Sequence, residues 1–356
     1  MNNLLSTEIN IVAIGGGTGL SQLLSGLKKF VLKPSPKESS LPIYPFIKEL
    51  TAIVTVTDDG GSSGRLRDEF QMLPPGDIRK CLVALSEDEL LMAKLFQYRF
   101  SGGGELQGHS FGNLFLTALA NVTGDFLEAI RLTSEVLAIK GRILPSTMAD
   151  VHLVGELENG IFLYGESLIG RSPSRIQNIS ILPEECQPLP EALEAIAEAD
   201  IITMGPGSLF TSLLPNLLVK GIPEAIRQSA ALKVYIGNIM TQKGETVGFT
   251  ASDHLRAIRE HCGNDLFSYF LCNNTPISEE QRVNYRKEAA DQTKNDLETM
   301  GKYGIHVMFK DLLADGDKVR HDPLKLATSI FELAMSTERN GFDTIPFIPV
   351  LENRLE

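Results

Sequence analysis

The sequence has no excess of positive charge: 33 Lys and Arg stand against 45 Asp and Glu, a formal net charge of -12. A nucleic-acid partner is therefore not expected, because such proteins need a basic footprint to displace counterions from phosphates. A small anionic ligand is still open, since a local glycine loop and a few arginines decide that. The four cysteines, Cys81, Cys186, Cys262 and Cys272, show no C-x-x-C spacing, so they are expected to be reduced and buried. No uninterrupted apolar run approaches the ~20 residues that a spanning helix needs. The N-terminus lacks a basic region followed by an apolar core. These absences predict a soluble, cytoplasmic protein with no membrane span. Without repeats, low-complexity tracts or a clear linker, one continuous domain over residues 1–356 is the economical reading, long enough to bury its own core.

What is present begins at Asn10-Ile11-Val12-Ala13-Ile14-Gly15-Gly16-Gly17-Thr18-Gly19-Leu20. An apolar run rich in β-branched residues that breaks into glycines and then enters a helical pattern predicts a buried strand, a tight turn and a helix start. Such a turn lets backbone N–H groups approach an anion, and the helix dipole favours negative charge there. Thr18 is expected to cap the helix, which runs to about residue 30. The spacing fits neither the dinucleotide fingerprint, which needs a small residue where Leu20 stands, nor the P-loop, which needs a Lys-Ser/Thr pair. Two readings stay open, a phosphate cradle and a glycine turn that merely lets strand and helix pack.

After a proline-punctuated excursion at 34–45, residues 50–57 read as a second buried strand ending on Asp58-Asp59-Gly60-Gly61-Ser62-Ser63-Gly64. In a parallel sheet this loop shares an edge with the first glycine turn. Asp58 and Asp59 are thus candidates for a ribose hydroxyl or for a magnesium ion bridging phosphate oxygens. The alternative is an Asx turn opening a helix near residue 64. Residues 65–140 have helical periodicity, with leucine-rich faces at 88–100, 110–122 and 125–139, and are expected to form a helical insertion or layer. Within it Asp77 and Arg79 fall just inside a helix start, and His109, Ser110 and Asn113 fall at a helix entrance. His109 beside Ser110 invites a nucleophile-and-base reading, yet no G-x-S-x-G elbow is present. A capping Ser110 and a ligand-facing Asn113 are preferred.

Asn159-Gly160 marks a hairpin between 150–157 and 160–166. Ile176–Leu182 reads as a strand and Pro190–Glu198 as a helix. The opening pattern then recurs at 200–212: a buried strand, the turn Gly205-Pro206-Gly207-Ser208, and a helix that Ser208 is expected to cap. Two such loops suggest the two halves of a doubly wound sheet. Strand Leu232–Ile236 leads into a third polar loop, where Asn238, Thr241 and Gln242 offer groups suited to a base or sugar, or simply form an αβ connection. Strands at 267–271 and 305–309 follow, with a charged helix carrying Tyr285 between them. Arg320 lies just before a terminal helix at 324–335, where its guanidinium is suited to a diphosphate.

Six ordered motifs together resemble the gluconeogenesis-factor family, related to 2-phospho-L-lactate transferase: residues 15–19, 58–67, 75–79, 108–113, 205–209 and 238–242. The resemblance implies a Rossmann-like three-layer α/β/α fold with a mostly parallel sheet and a nucleotide site at its carboxyl edge. It also implies a homodimer, and a cytoplasmic role in cell-wall synthesis and cell shape under gluconeogenic growth, with cell-wall enzymes as partners. In that family a tyrosine and an arginine resembling Tyr285 and Arg320 help to hold a UDP-sugar. The transferase branch uses a magnesium ion at the loop that Asp58 and Asp59 resemble, but Gly207-Ser208 here stands where that branch has Ser-Asn. The favoured expectation is a UDP-sugar-binding regulator rather than an enzyme. The diphosphate would lie on Gly15, Gly16, Gly17, Thr18, Gly19 and residues 205–208, the uridine or sugar on Asn238, Thr241 and Gln242, and Asp58, Asp59, Gly60, Gly61, Asp77, Arg79 and Asn113 would complete the site. The alternatives are a magnesium-dependent transferase, with Asp58 as metal ligand and Asp59 positioning an acceptor hydroxyl, and a scaffold whose glycine loops bind nothing.

Overall fold

The computed structural model describes residues 8–31, 46–87, 90–172 and 174–340; the proline-punctuated excursion lies outside them. Strand β1 (Glu8–Gly15) enters α1 (Gly17–Leu27), which tightens into a 3-10 turn at Lys28–Phe30. Strand β2 (Phe46–Val54) is followed by five helices, α2 (Gly61–Phe70), α3 (Gly76–Leu85), α4 (Leu90–Gln97), α5 (Phe111–Thr123) and α6 (Phe126–Val136). Strands β3 (Arg142–Pro145), β4 (His152–Leu157) and β5 (Phe162–Tyr164) come next, then the single turn α7 (Glu166–Ile169), β6 (Ile176–Leu182) and α8 (Pro190–Glu198). Strand β7 (Ile201–Met204) leads through a π-helical turn (Leu209–Leu213) into α9 (Leu214–Leu218) and α10 (Ile222–Gln228). The chain closes with β8 (Leu232–Ile236), α11 (Ala251–Cys262), β9 (Tyr269–Asn273), α12 (Glu279–Arg286), α13 (Leu297–Gly301), β10 (His306–Lys310) and α14 (Pro323–Asn340).

Seven strands form one parallel sheet in the order β10-β9-β8-β7-β1-β2-β3, with helices packed on it as a three-layer α/β fold. The central strands are covered on both faces, so they read as continuous apolar runs rather than alternating ones: Ile11, Ala13, Ile14, Ile201, Ile202 and Met204 are all fully buried. Helix α1 is held the same way, with Leu20, Leu23, Leu24 and Leu27 fully buried, each contributing about 1.5–3 kcal/mol relative to exposure. A second, antiparallel sheet, β5-β4-β6, is separate from the first, and its hairpin turns at Gly160 with φ 78°. Among the described residues no helix is long and apolar enough to cross a membrane.

Some local expectations shift. Strand β2 stops at Val54, not residue 57, because its partner β1 ends at Gly15, which pairs with Val54. The helix after the Asp-Asp pair begins at Gly61 rather than near 64. Strand β3 and helix α11 fall where no element was assigned from the sequence. Cys81, Cys186 and Cys272 are buried free thiols, whereas Cys262 is only half-buried.

The sheet order places β1 and β7 side by side. From β1 the chain proceeds outward to β2 and β3, and from β7 it proceeds the other way to β8, β9 and β10. Loops leaving these two carboxyl ends therefore diverge and open a crevice between them.

Candidate functional site

That crevice holds a cavity of about 830 Å³. Gly16, Gly17, Thr18 and Gly19 line it from the β1 side and Pro206, Gly207 and Ser208 from the β7 side. Asn238, Thr241 and Gln242 enter from the loop after β8, Tyr285 from α12, and Arg320 from the segment before α14. Asp58 and Asp77 complete the expected set that the fold brings together, while Gly15, Asp59, Gly60, Gly61, Arg79, Asn113 and Gly205 do not line the cavity.

The two glycine loops touch directly. A Cβ on Gly19 would lie 2.1 Å from the Pro206 carbonyl oxygen, so only glycine lets α1 come this close. Each loop's helix start also has an internal anion. The Gly17 N–H donates to Asp77 Oδ2 at 2.7 Å. The Phe210 N–H and the Thr211 hydroxyl donate to the buried carboxylate of Glu245 at 3.0 and 2.9 Å. Neither expected cap forms. Gly16, not Thr18, is the N-cap of α1, and Ser208 sits at the N-cap position after β7 while its hydroxyl accepts from Gln242 Nε2 at 2.9 Å. Thr18 lies two residues past the cap position, and nothing near residue 208 in sequence announces Glu245.

Other expected contacts are spent within the protein. The Asn238 amide donates to the Gly207 carbonyl at 2.9 Å and accepts its N–H at 3.4 Å, locking the third loop to the second. Thr241 bonds the Asp291 backbone, accepting its N–H at 2.9 Å. The Tyr285 hydroxyl accepts the Val319 N–H at 3.0 Å and so fixes the segment that presents Arg320. Three buried polar atoms of cavity-lining residues, Gln242 Oε1, Glu166 Oε2 and His321 Nε2, have no partner among the described residues. Arg320 is exposed and pairs with no carboxylate among the described residues. Burial pulls the His321 imidazole down to about 4, so it is neutral.

One pole of the cavity is acidic. Burial, and then the charge of Asp77, raises the Asp58 carboxyl, partly offset by the Gly60 N–H. Burial followed by Asp77 and Asp58 raises Glu166 well above its ordinary range. Lys80 answers this pole: burial pulls its pKa down, but Asp77, whose Oδ1 it reaches at 2.8 Å, and Asp58 together leave it raised. Glu166, Lys80 and His321 were not singled out from the sequence. Glu166 arrives on the helical turn that follows β5, and Asp59, which accepts the Ser167 N–H at 2.8 Å, ties that turn to the Asp-Asp loop.

Asn113 and Arg79 belong to the layer behind this pole. Asn113 is 2% exposed; its Oδ1 accepts from Arg79 Nε at 2.9 Å and its Nδ2 donates to Ser62 at 3.2 Å, so it faces no ligand. His109 pairs through Nδ1 with Ser62 at 3.1 Å, not with its neighbour Ser110, whose hydroxyl donates to the Phe96 carbonyl instead of capping α5. Asp58 also forms the Asx turn, accepting the Gly60 N–H at 2.9 Å.

Comparison with known proteins gives a consistent picture. The family model described as 2-phospho-L-lactate transferase CofD matches residues 11–313. A gluconeogenesis factor of Halalkalibacterium halodurans is 47% identical over 324 residues, 91% of this chain and 96% of that protein. The gluconeogenesis factor of Bacillus subtilis is 45% identical over 324 residues, 91% of this chain and 97% of its own length. The crystal structure of a UPF0052-family protein from Bacillus halodurans superposes with a TM-score of 0.84 at 47% identity, covering 90% of this chain and 99% of that one.

Proposed function

This chain belongs to the 2-phospho-L-lactate transferase CofD family, alongside the gluconeogenesis factors, and from that membership we propose that it binds a UDP-sugar as a cytoplasmic regulator. The observation that carries the reading is the meeting of the β1 and β7 glycine loops on one 830 Å³ cavity, a volume suited to a nucleotide sugar. Because Asp77 and Glu245 already occupy the two helix starts, the diphosphate is balanced by Arg320 and by the N–H groups these carboxylates leave unused. Gln242 Oε1 and His321 Nε2 accept from the uracil or sugar hydroxyls. The regulated process is cell-wall synthesis and cell shape during gluconeogenic growth, through contact with cell-wall enzymes, and the protein works as a homodimer.

Thermal unfolding tests this. UDP-N-acetylglucosamine or UDP-glucose should stabilise the protein by about 2.7 kcal/mol at a hundred times its Kd, while guanosine diphosphate does little. No shift with either UDP-sugar sinks the proposal.

A second reading, a magnesium-dependent transferase, is favoured by the acidic pole. The donor set there suits a hard cation: Asp58 and Glu166 are both raised by burial and then by neighbouring carboxylates, and Glu166 Oε2 has no partner among the described residues. No group of three His, Cys, Asp or Glu is arranged as a metal cluster among the described residues. Asp58 and Glu166 would thus hold the ion together with water and phosphate oxygens, as is usual for Mg²⁺. Bound there, Mg²⁺ would neutralise charge developing on a transferring phosphoryl group. Asp58→Ala should then abolish magnesium-dependent turnover, and absence of turnover with the tested donors and acceptors removes this reading.

A further inference from the structure

Beside the main cavity, along α1 and α3, runs a second groove of about 460 Å³. The two share Thr18, Gln22 and Lys80. Unlike the main cavity, the groove is lined by no carboxylate among the described residues; its polar groups include Ser21, Ser25 and Gln97, and its cations are Lys28, Arg79 and Lys80.

Two of those cations are already engaged. Lys80 is balanced by Asp77 at 2.8 Å, and Lys28 donates to the Ser86 carbonyl at 2.8 Å. Arg79 differs from both. It is 8% exposed, its stem packs on Gly112, where an added Cβ would meet Arg79 Cδ at 2.8 Å, and its Nε is held by the neutral Asn113 Oδ1. No carboxylate pairs with it among the described residues. Burial and then Arg99 pull its pKa below the ordinary value, with Asp77 and Asp58 only partly opposing. A guanidinium stays protonated regardless, so the charge is present and underpaid for by its surroundings.

A buried cation without an anion costs stability, and a rigid guanidinium fork is the group best matched to a phosphoryl oxygen pair. We infer that this groove is a second ligand site, distinct from the nucleotide-sugar cavity, that takes the phosphoryl group of a small polar molecule on Arg79. Ser21, Ser25 and Gln97 meet the hydroxyls of its body. Because Thr18 and Gln22 lie four residues apart on α1 and border both spaces, an occupant of the groove contacts the same helix that forms the first glycine loop. The site does not rest on the UDP-sugar reading, since nothing in it depends on what fills the main cavity.

The test reads Arg79 itself. In the full-length protein labelled with ¹⁵N-arginine, the Arg79 Nε–Hε signal is assigned as the one missing from Arg79→Gln. It is then followed during titration with inorganic phosphate and, separately, with glycerol 3-phosphate, each with and without UDP-N-acetylglucosamine. A saturable shift is expected with at least one anion whether or not the nucleotide sugar binds, and tighter response to the ester identifies an organic phosphate as the occupant. Ser25→Asp, which adds a negative charge to the groove at a half-buried helical position, should weaken that response roughly tenfold or more. It also serves if Arg79→Gln folds poorly, since the signal that responds to phosphate in wild type and not in this variant is then the one followed. An arginine signal set that neither anion shifts, or a shift that Ser25→Asp leaves unchanged, overturns the site.

Discussion

Asp77 Oδ2 accepts the N–H of Gly17 at 2.7 Å, sixty residues away in the chain, while its Oδ1 binds Lys80 at 2.8 Å. One side chain thus closes the first glycine loop, seats the start of α1 and neutralises the lysine on the cavity floor. Asp77→Ala removes the charged acceptor of this part-buried N–H and should lower stability by about 1–3 kcal/mol, measured by urea unfolding. A variant as stable as wild type would show that the loop holds its shape without this bond.

The Tyr285 hydroxyl accepts the Val319 N–H at 3.0 Å, next to Arg320, so on the proposed reading its part in binding is to hold Arg320 in place. Tyr285→Phe should cost about 1 kcal/mol of stability and weaken UDP-N-acetylglucosamine binding less than Arg320→Ala does, as read by calorimetry. Equal losses in the two variants would point to direct contact by the tyrosine.

Glu166 is raised by burial and by the neighbouring Asp77 and Asp58. The folded state therefore holds this proton more tightly than the unfolded chain, so the stabilisation is present below the unfolded value of 4.5 and lost as pH rises. Glu166→Gln, which cannot ionise, should melt at a higher temperature than wild type in alkaline buffer, with the difference closing toward pH 4.5. The same substitution should shrink the stabilisation by magnesium chloride. A variant less stable than wild type at alkaline pH would contradict the crowding.

His321 gives the opposite dependence. Its folded value near 4 lies below the ordinary 6.5, so the unfolded chain takes up a proton first. The stability it contributes is complete above pH 6.5 and is lost as pH falls through 4, by ~3 kcal/mol in all. His321→Asn should flatten much of the acid limb of a stability–pH curve. Some slope remains, because buried His254 is lowered in the same direction. Superimposable acid limbs would mean that His321 is protonated in the fold.

Much of the architecture was legible locally. The boundaries of β6, α8 and β8 follow from pattern alone, because a buried strand or an amphipathic helix writes its period into consecutive residues. Strand β3 was not legible: four residues, Arg142–Pro145, are too few to show a period, and they become a strand only because β2 offers an edge. The capping roles expected of Thr18, Ser110 and Ser208 failed for a related reason. A hydroxyl near a helix start is a local signal, but Asp77 and Glu245 compete for the same N–H groups from sixty and thirty-five residues away. Glu166 carried no signal at all, since its meaning depends on where an antiparallel sheet docks.

By itself, the order of apolar runs and glycines determined an alternating α/β chain with two matched strand–turn–helix units, because burial on both faces and positive or crowded backbone positions restrict residue type at each place. Only the tertiary structure decided which side chains remain free to bind. Asn238, Thr241, Tyr285 and Asn113 look available in the sequence yet are engaged by partners distant in the chain, while Gln242, Glu166 and His321 keep unmet polarity and Arg79 has no carboxylate partner among the described residues. Hydrogen-bond capacity is a property of a side chain, but its vacancy depends on every neighbour the fold supplies.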